Sequence, residues 1–259
     1  MLCRFYCKRR DSGMVTMTDD VLSVVHEFRK RGYARLPRLF SRDEIDDVRA
    51  RLDQVVQDVL PIMDPNDYVL EPGGGAVRNL WRLEHYDPYF AELGNTPRLL
   101  DIIGRLLDGD PLLIAVETFN KPARQGSAVP PHQDNAYFCQ VPPDVLTVWV
   151  AIDPTTERNG PVNYLADTQD VLLPHEASGI PGNSMVLIEP PASIDAARAE
   201  RGLLDPGDAM VHHSQTIHWS EPNRTDQPRC GMLLVYRAAH TKTSPELRAV
   251  YKSAQAAFA

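Results

Sequence analysis

The 259-residue chain has no apolar run approaching the roughly 18 residues that a membrane-spanning helix needs. It also lacks a basic excess, since its formal net charge is −8 at pH 7. Non-specific binding to nucleic acid needs Lys and Arg side chains that displace counterions from phosphates, so an acidic balance argues against it. We therefore expect a cytoplasmic protein that binds neither membrane nor nucleic acid. The sequence gives no indication of its oligomeric state.

Cysteine is scarce as well, with four residues in the chain. Cys3 and Cys7 lie in a basic N-terminal tail that lacks the apolar core of a secretion signal, and no nearby residues would complete a metal site with them. Residues 1–16 are therefore predicted to be a disordered extension. Cys139 and Cys230 are isolated, and we interpret them as small buried hydrophobic residues.

No internal repeat or low-complexity stretch divides residues 17–259, which we interpret as one domain. Its first part, 17–110, shows the apolar spacing of amphipathic helices, with a short strand predicted at Tyr33–Leu36. Ser41 and Glu44 form a capping box at the start of one of these helices. Residues 61–76 predict a loop that contains three consecutive glycines.

From residue 111 to 240 the pattern changes to short runs of β-branched residues between turn residues, and a terminal helix is predicted over 244–258. The predicted strands lie near Leu112–Phe119, Ala136–Cys139, Leu146–Ile152, Pro161–Leu165, Ser184–Ile188, Ala209–His213 and Arg229–Tyr236. Several short strands with turn signals are typical of an antiparallel sandwich or barrel. The chain is therefore predicted to be an α+β protein with helices outside a β core.

His132 and Asp134 are separated by one residue in the segment PPHQDNAYF. On an extended strand, two such side chains share a face. One His and one carboxylate are two of the three ligands in the facial triad of non-haem Fe(II) oxygenases. The same pair also occurs by chance as a surface His beside a solvated Asp, so the prediction depends on a third ligand.

A second segment, GDAMVHHSQTIHWSEPNRTDQPRCGMLLVYR, offers His212, His213 and His218 as that ligand. If the chain folds back as a hairpin at PNRTDQP, His218 lies opposite Arg229 and the two side chains share a face. Arginine can bind a carboxylate through two parallel hydrogen bonds. The hairpin therefore selects His218 as the metal ligand and leaves His212 and His213 as strand residues with satisfied polar contacts.

Taken together, these motifs resemble the phytanoyl-CoA dioxygenase family of 2-oxoglutarate oxygenases. The resemblance covers most of the chain and is carried by the segments GYARLPRLFSRDEI, FNKPARQGSAVPPHQDNAYF, VWVAIDPTTERNGPV and HWSEPNRTDQPR. It implies a double-stranded β-helix (jelly-roll, cupin-like) core with N-terminal and flanking helices. It also implies oxidation, usually hydroxylation, of a C–H bond in a small metabolite, with release of succinate and CO₂ and with natural-product tailoring as the expected context.

The resemblance further implies the residues of the site. Fe(II) is expected on His132, Asp134 and His218, with 2-oxoglutarate and O₂ as cosubstrates and Arg229 on the distal carboxylate of 2-oxoglutarate. The other residues expected around the cosubstrate are Gln133, Trp149, Ser220 and Lys121. The residues expected around the substrate are Asn135, Tyr137 and Trp219, the last of which stands where the family often has glycine.

Three other interpretations remain open. A cupin-type metalloenzyme that does not use 2-oxoglutarate would keep the metal ligands and give Arg229 a structural role. A non-catalytic relative would keep the fold and bind a metal or ligand. A structural zinc site would need four closed ligands, often cysteines, and no cysteine pair lies near these residues.

Overall fold

The computed structural model describes residues 17–72, 75–190 and 199–258, so the predicted extension at 1–16 lies outside the described residues. The helices in the described part are α1 (Met17–Arg31), α2 (Arg42–Gln54), α3 (Leu83–Tyr86), α4 (Pro88–Gly94), α5 (Pro97–Leu107), α6 (Asn135–Phe138) and α7 (Pro245–Phe258). A π-helical turn at Val55–Val59 and a 3-10 turn at Leu60–Ile62 continue α2. None of these helices has the length and apolarity needed to cross a membrane.

Two antiparallel sheets carry the site. The large sheet has seven strands, in the spatial order β1 (Tyr33–Leu36), β12 (Ala209–His213), β7 (Val145–Ala151), β14 (Arg229–Ala238), β4 (Pro111–Lys121), β3 (Val77–Leu80) and β2 (Tyr68–Leu70). The small sheet has four strands, in the order β11 (Glu200–Arg201), β8 (Val162–Tyr164), β13 (His218–Ser220) and β5 (Val129–His132).

Two further strand pairs flank these sheets. They are β9 (His175–Ile180) with β10 (Asn183–Leu187), and β6 (Gln140–Val141) with β15 (Lys242–Thr243). The arrangement of antiparallel sheets and outer helices confirms the predicted α+β jelly-roll class.

Strict alternation along the central strands separates the core from the cavity. On β7 and β14, Val148 and Leu234 point to one side, where they pack against the helices in the main hydrophobic core. That core also takes Phe28 from α1, residues of α2 and most of one face of α5. The intervening residues point to the other side, into a cavity between the sheets. Burial of one face therefore fixes which side chains reach the site.

Several predicted elements are confirmed. Helix α2 begins with the Ser41–Glu44 capping box, in which both reciprocal hydrogen bonds are present. Strand β12 and the neighbouring β7 and β14 lie where the sequence predicted them. The predicted terminal helix is α7.

Other predictions are wrong. The strand predicted at 136–139 is instead the single helical turn α6, because backbone hydrogen bonds from 137 and 138 return to the carbonyl of Asp134. The loop predicted at 61–76 contains β2, and the part predicted as mainly helical also contributes β3 to the large sheet. These strands carry few residues, so their alternation is too short to be recognised in the sequence.

The predicted hairpin is also wrong. Strand β13 pairs with β5 and β8, whereas β14 pairs with β4 and β7. The segment between 220 and 229 therefore crosses from the small sheet to the large one. His218 lies opposite His132 and Tyr164, and Arg229 lies opposite Lys121.

Candidate metal centre and cavity

His132, Asp134 and His218 form a buried cluster whose potential metal-binding atoms all lie within 4.8 Å of one another. Nε2 of His132 lies 3.5 Å from Oδ1 of Asp134, and Nε2 of His218 lies 3.4 Å from the same oxygen. The two histidines come from paired strands, while Asp134 follows the end of β5 with a helical backbone conformation. Asp134 is therefore not on an extended strand, as the sequence had suggested, yet its carboxylate still meets both imidazoles.

Backbone carbonyls fix the tautomers of the two histidines. Nδ1 of His132 donates to the carbonyl of Pro130, and Nδ1 of His218 donates to the carbonyl of Thr216, each at 2.9 Å. A carbonyl only accepts, so each Nδ1 carries the proton and each Nε2 keeps its lone pair. Burial and the neighbouring His132 also hold the pKa of His218 well below its ordinary value. Both Nε2 atoms are thus prepared to bind a metal ion.

The ionisation of Asp134 completes this donor set. Burial alone would raise the pKa of Asp134, but the neighbouring imidazoles of His218, His132 and His212 outweigh it and hold the pKa well below its ordinary value. Two nitrogen lone pairs and an anionic oxygen therefore face one another. Such an arrangement is repulsive unless a cation lies between the donors, and two imidazoles with one carboxylate are the ligand set of non-haem Fe(II) centres.

Three more side chains hold the Asp134 carboxylate in place. The Tyr137 hydroxyl donates to Oδ1, and Oγ1 of Thr147 donates to Oδ2 at 3.2 Å. Nε2 of His212 lies 3.2 Å from Oδ2. Burial and the nearby Asp134 carboxylate raise the pKa of Tyr137 well above its ordinary value, so the phenol stays protonated and can donate. These contacts fix the direction in which the carboxylate points.

His212 is a site residue that the sequence interpretation missed. It was assigned to a strand with satisfied polar contacts, but its Nδ1 is buried without a partner among the described residues. Pairing of β12 with β7 places His212 beside Thr147, on the face that lines the cavity. The position of His212 follows from which strand pairs with β12, and the local sequence carries no information about that pairing.

Arg229 is a buried cation that forms no ion pair with any described residue. Its Nη2 donates to the carbonyl of Gly160 at 2.6 Å, its Nη1 donates to the carbonyl of Phe119 at 3.4 Å, and its Nε has no partner. Burial lowers the pKa of Arg229 to about 10, so it is still charged at neutral pH. A buried charge without a counterion is costly. The side chain also lines the cavity, which makes an anionic occupant a fitting partner.

Trp149 lies beneath this guanidinium, whose central carbon is 5.1 Å from the ring centroid. The indole occupies space left by Gly231 on the adjacent strand. A Cβ built at Gly231 would lie 2.0 Å from Cζ2 of Trp149. Glycine at this position therefore allows the aromatic wall to stand next to Arg229.

The cavity has a volume of about 420 Å³ and contains the metal cluster and Arg229 in its lining. Four of the predicted pocket residues also line it, namely Trp149, Ser220, Tyr137 and Trp219. One cavity thus joins a three-donor metal cluster to an uncompensated guanidinium.

Residues 28–231 match the family described as phytanoyl-CoA dioxygenase (PhyH). The chain belongs to the phytanoyl-CoA dioxygenase family. It is accordingly an Fe(II)- and 2-oxoglutarate-dependent dioxygenase, and the buried two-histidine, one-carboxylate cluster fits the metal of that family.

Known proteins similar to this family member cover most of its length. L-proline trans-4-hydroxylase of Streptomyces griseoviridis is 25% identical over 252 residues, which is 89% of this chain and 92% of that protein. The crystal structure of EctD from S. alaskensis with 2-oxoglutarate and 5-hydroxyectoine is 21% identical with a TM-score of 0.73, covering 85% of this chain and 77% of that one. EvdO2 from Micromonospora carbonacea var. aurantiaca, complexed with 2-oxoglutarate, is 25% identical with a TM-score of 0.66, covering 86% and 92%.

Three predicted pocket residues do not line the cavity of this dioxygenase. Nε2 of Gln133 donates to the carbonyls of Val171 and Gln215, while its Oε1 accepts from the backbone of Leu173. Its amide therefore fastens two loops behind the metal cluster. The side chain of Asn135 exchanges hydrogen bonds with the backbone of Gln140 and stabilises the turn after α6.

Lys121 is the third of these residues. Although it lies opposite Arg229 in the sheet, its Nζ donates to the carbonyls of Ser127 and Glu221 at 2.5 and 2.7 Å. Its side chain is fully buried, and burial lowers its pKa to about 6. These contacts give Lys121 a structural role, and its side chain does not line the cavity.

Proposed function

We propose that the protein hydroxylates a C–H bond of a small metabolite, using Fe(II) held by His132, Asp134 and His218. The observation that carries the proposal is the meeting of these three donors in a buried cavity that also contains the uncompensated Arg229. With 2-oxoglutarate and O₂, the iron of this family supplies the oxidising power needed to break an unactivated C–H bond.

Arg229 is proposed to bind the distal carboxylate of 2-oxoglutarate. Its unpartnered Nε and its burial both favour a bidentate anion, because the guanidinium offers parallel donors with carboxylate geometry. Trp149 and Ser220 form the neighbouring wall of the cosubstrate pocket. The aromatic wall excludes water from the pair and so strengthens it.

The remaining residues orient the metal ligands. Tyr137, Thr147 and His212 hold both oxygens of Asp134, while the carbonyls behind His132 and His218 set their tautomers. The carboxylate also favours hydroxylation over halogenation, because related halogenases leave the position of this ligand vacant for a halide. Retention of Asp134 therefore supports oxygen insertion as the outcome.

The proposal is tested with the purified protein and 2-oxoglutarate, first without and then with Fe(II). We expect Fe(II)-dependent formation of succinate with consumption of O₂. Arg229→Ala is expected to raise the Kd for 2-oxoglutarate by about 10- to 150-fold, since it removes a charge-assisted pair worth roughly 1.5–3 kcal/mol. Arg224→Ala, at an exposed position, is the matched control.

Unchanged 2-oxoglutarate affinity in Arg229→Ala would assign that residue a structural role and favour a metalloenzyme of the cupin type. Absence of Fe(II)-dependent succinate formation from the wild-type protein would count against the proposed function as a whole.

A further inference from the structure

A second carboxylate, that of Glu117, lines the cavity on strand β4. Among the described residues it makes no hydrogen bond and no ion pair, and the charged groups that act on it are Asp134 and Glu84, both acids. Burial, and then the Asp134 carboxylate, raise the pKa of Glu117 to about 8. Its side chain is partly buried, and among the described residues it lacks a cation that would balance its charge.

Arg229 is too far away to be that cation. Glu117 lies opposite Leu233 in the register of β4 and β14, four residues from Arg229. Four residues correspond to about 13 Å along a strand. Arg229 is the only Lys or Arg among the described residues that line the cavity, and none of the described residues forms an ion pair with Glu117.

Glu117 nevertheless lies close to the metal cluster. In the large sheet, Leu233 of β14 lies between Glu117 of β4 and Trp149 of β7. Thr147 lies two residues from Trp149 on β7 and donates a hydrogen bond to Asp134. The two strand spacings between β4 and β7 amount to about 10 Å. A small molecule bound to Glu117 can therefore present a neighbouring carbon to the metal cluster while Arg229 holds the cosubstrate.

The surrounding walls are aromatic. Phe119 lies two residues from Glu117 on the same face of β4 and also lines the cavity. Trp81 comes opposite Glu117 when the register of β3 and β4 is extended by one residue. Trp81, Phe119 and Phe138 are only partly buried, so parts of their side chains remain accessible. Aromatic faces attract ammonium groups and leave anions unsupported.

We propose that Glu117 determines specificity by binding a protonated amine of the substrate. This inference rests on the proposed function, because it takes the cavity beside the metal cluster to be the substrate site. The carboxylate accepts hydrogen bonds from the ammonium group, and the aromatic rings surround its carbon neighbours. A cationic occupant provides the charge that Glu117 lacks, whereas an anionic one would face an unopposed acid.

The test uses the whole protein loaded with Fe(II) and 2-oxoglutarate under argon. The probes are small metabolites in matched sets of a primary or secondary amine, its N-acetyl derivative and the corresponding alcohol, and binding is measured by thermal shift and calorimetry. We expect amines to bind, and expect N-acetylation or replacement by hydroxyl to weaken binding by about tenfold or more. A set of hits that are neutral or anionic, or the absence of any amine that binds, overturns the proposal.

Glu117→Gln separates charge from hydrogen bonding. We expect this variant to lose the preference for amines, and Glu117→Asp to keep part of it, while Glu92→Gln at an exposed position leaves it unchanged. If Glu117→Gln kept the preference, Glu117 would be acting as a neutral hydrogen-bonding group and the proposal would fail. Circular dichroism verifies that each variant is folded.

The two proposals can fail separately. Wild-type conversion of 2-oxoglutarate to succinate, measured without added substrate, reports on the proposed function alone. A protein that makes succinate but shows no amine preference refutes only the role of Glu117. A protein that binds amines through Glu117 but makes no succinate refutes only the proposed function.

Discussion

His218 and His132 lie directly opposite each other on β13 and β5, with their ring centroids 4.2 Å apart. Hydrogen-bonded strands hold their backbones at a nearly constant spacing, so the two imidazoles approach without help from a flexible loop. The third donor comes from the turn that follows β5. The metal cluster is thus a property of one strand pair and the first turn beyond it.

Metal binding is expected to stabilise the fold through this strand pair. Fe(II) at 100 times its Kd adds about 2.7 kcal/mol to the free energy of unfolding. We expect Tm to rise on addition of Fe(II) and to fall with a chelator. Asp134→Asn should abolish this response and Asp170→Asn, at an exposed position, should keep it. An equal rise in Tm for Asp134→Asn would exclude this carboxylate as a ligand.

His212→Ala is expected to weaken metal binding about 10- to 100-fold, because it removes a partner of Asp134 Oδ2 while leaving the three ligands in place. The measurement is a competition titration with a metal indicator. His26→Ala, at an exposed position, serves as the control. Equal metal affinity in both variants would show that His212 has no influence on the centre.

Gly231→Ala is expected to displace the Trp149 indole from its position beneath Arg229, since the new methyl group has no room. We expect a loss of about 1–3 kcal/mol in the free energy of unfolding, as for other overpacked sites, and weaker binding of 2-oxoglutarate. Gly104→Ala is the control, because its Cβ would meet nothing closer than 3.4 Å. Chemical denaturation and calorimetry measure the two effects, and wild-type values for Gly231→Ala would contradict the packing argument.

Lys121 should make stability depend on pH. Its folded-state pKa is about 6, below its ordinary value of 10.5, so between these values the unfolded chain binds more protons than the folded one. Stability contributed by this residue is therefore fully present above the ordinary value and is lost as the pH falls through 6.

Lys121→Met should flatten this part of the pH profile, and it should also lower Tm at every pH because two backbone carbonyls lose their donor. Tm values between pH 6 and 10 give the slope, with Lys252→Met at an exposed position as control. An unaltered slope in Lys121→Met would mean that another group is responsible.

The sequence contained enough to predict most of the longer elements but not which strands pair with each other. The short run at 209–213 that follows turn residues and the capping box at Ser41 are local signals, and both predictions were correct. Strand pairing is decided by contacts between distant segments, and the predicted hairpin placed His218 opposite Arg229 although the two lie on different sheets. His218, chosen over His212 and His213, does belong to the metal cluster, but the hairpin on which that choice depended does not exist.

The wall residues of the cavity were harder to predict than its ligands. A His-x-Asp motif is visible because its spacing carries chemical meaning, whereas Glu117 is one acid in a strand of mixed composition. Glu117 stands out only in three dimensions, because no described cation lies beside its carboxylate. His212 was missed for the same reason, since it reaches Asp134 only when β12 lies beside β7.

Arg229 extends from the large sheet, whereas His132 and His218 extend from the small one. A cosubstrate that contacts Arg229 and a metal ion held by the two histidines therefore links the two sheets. Binding of metal and cosubstrate should therefore reduce local opening of both sheets, including residues that contact neither ligand. We expect slower amide hydrogen exchange along β5 and β13.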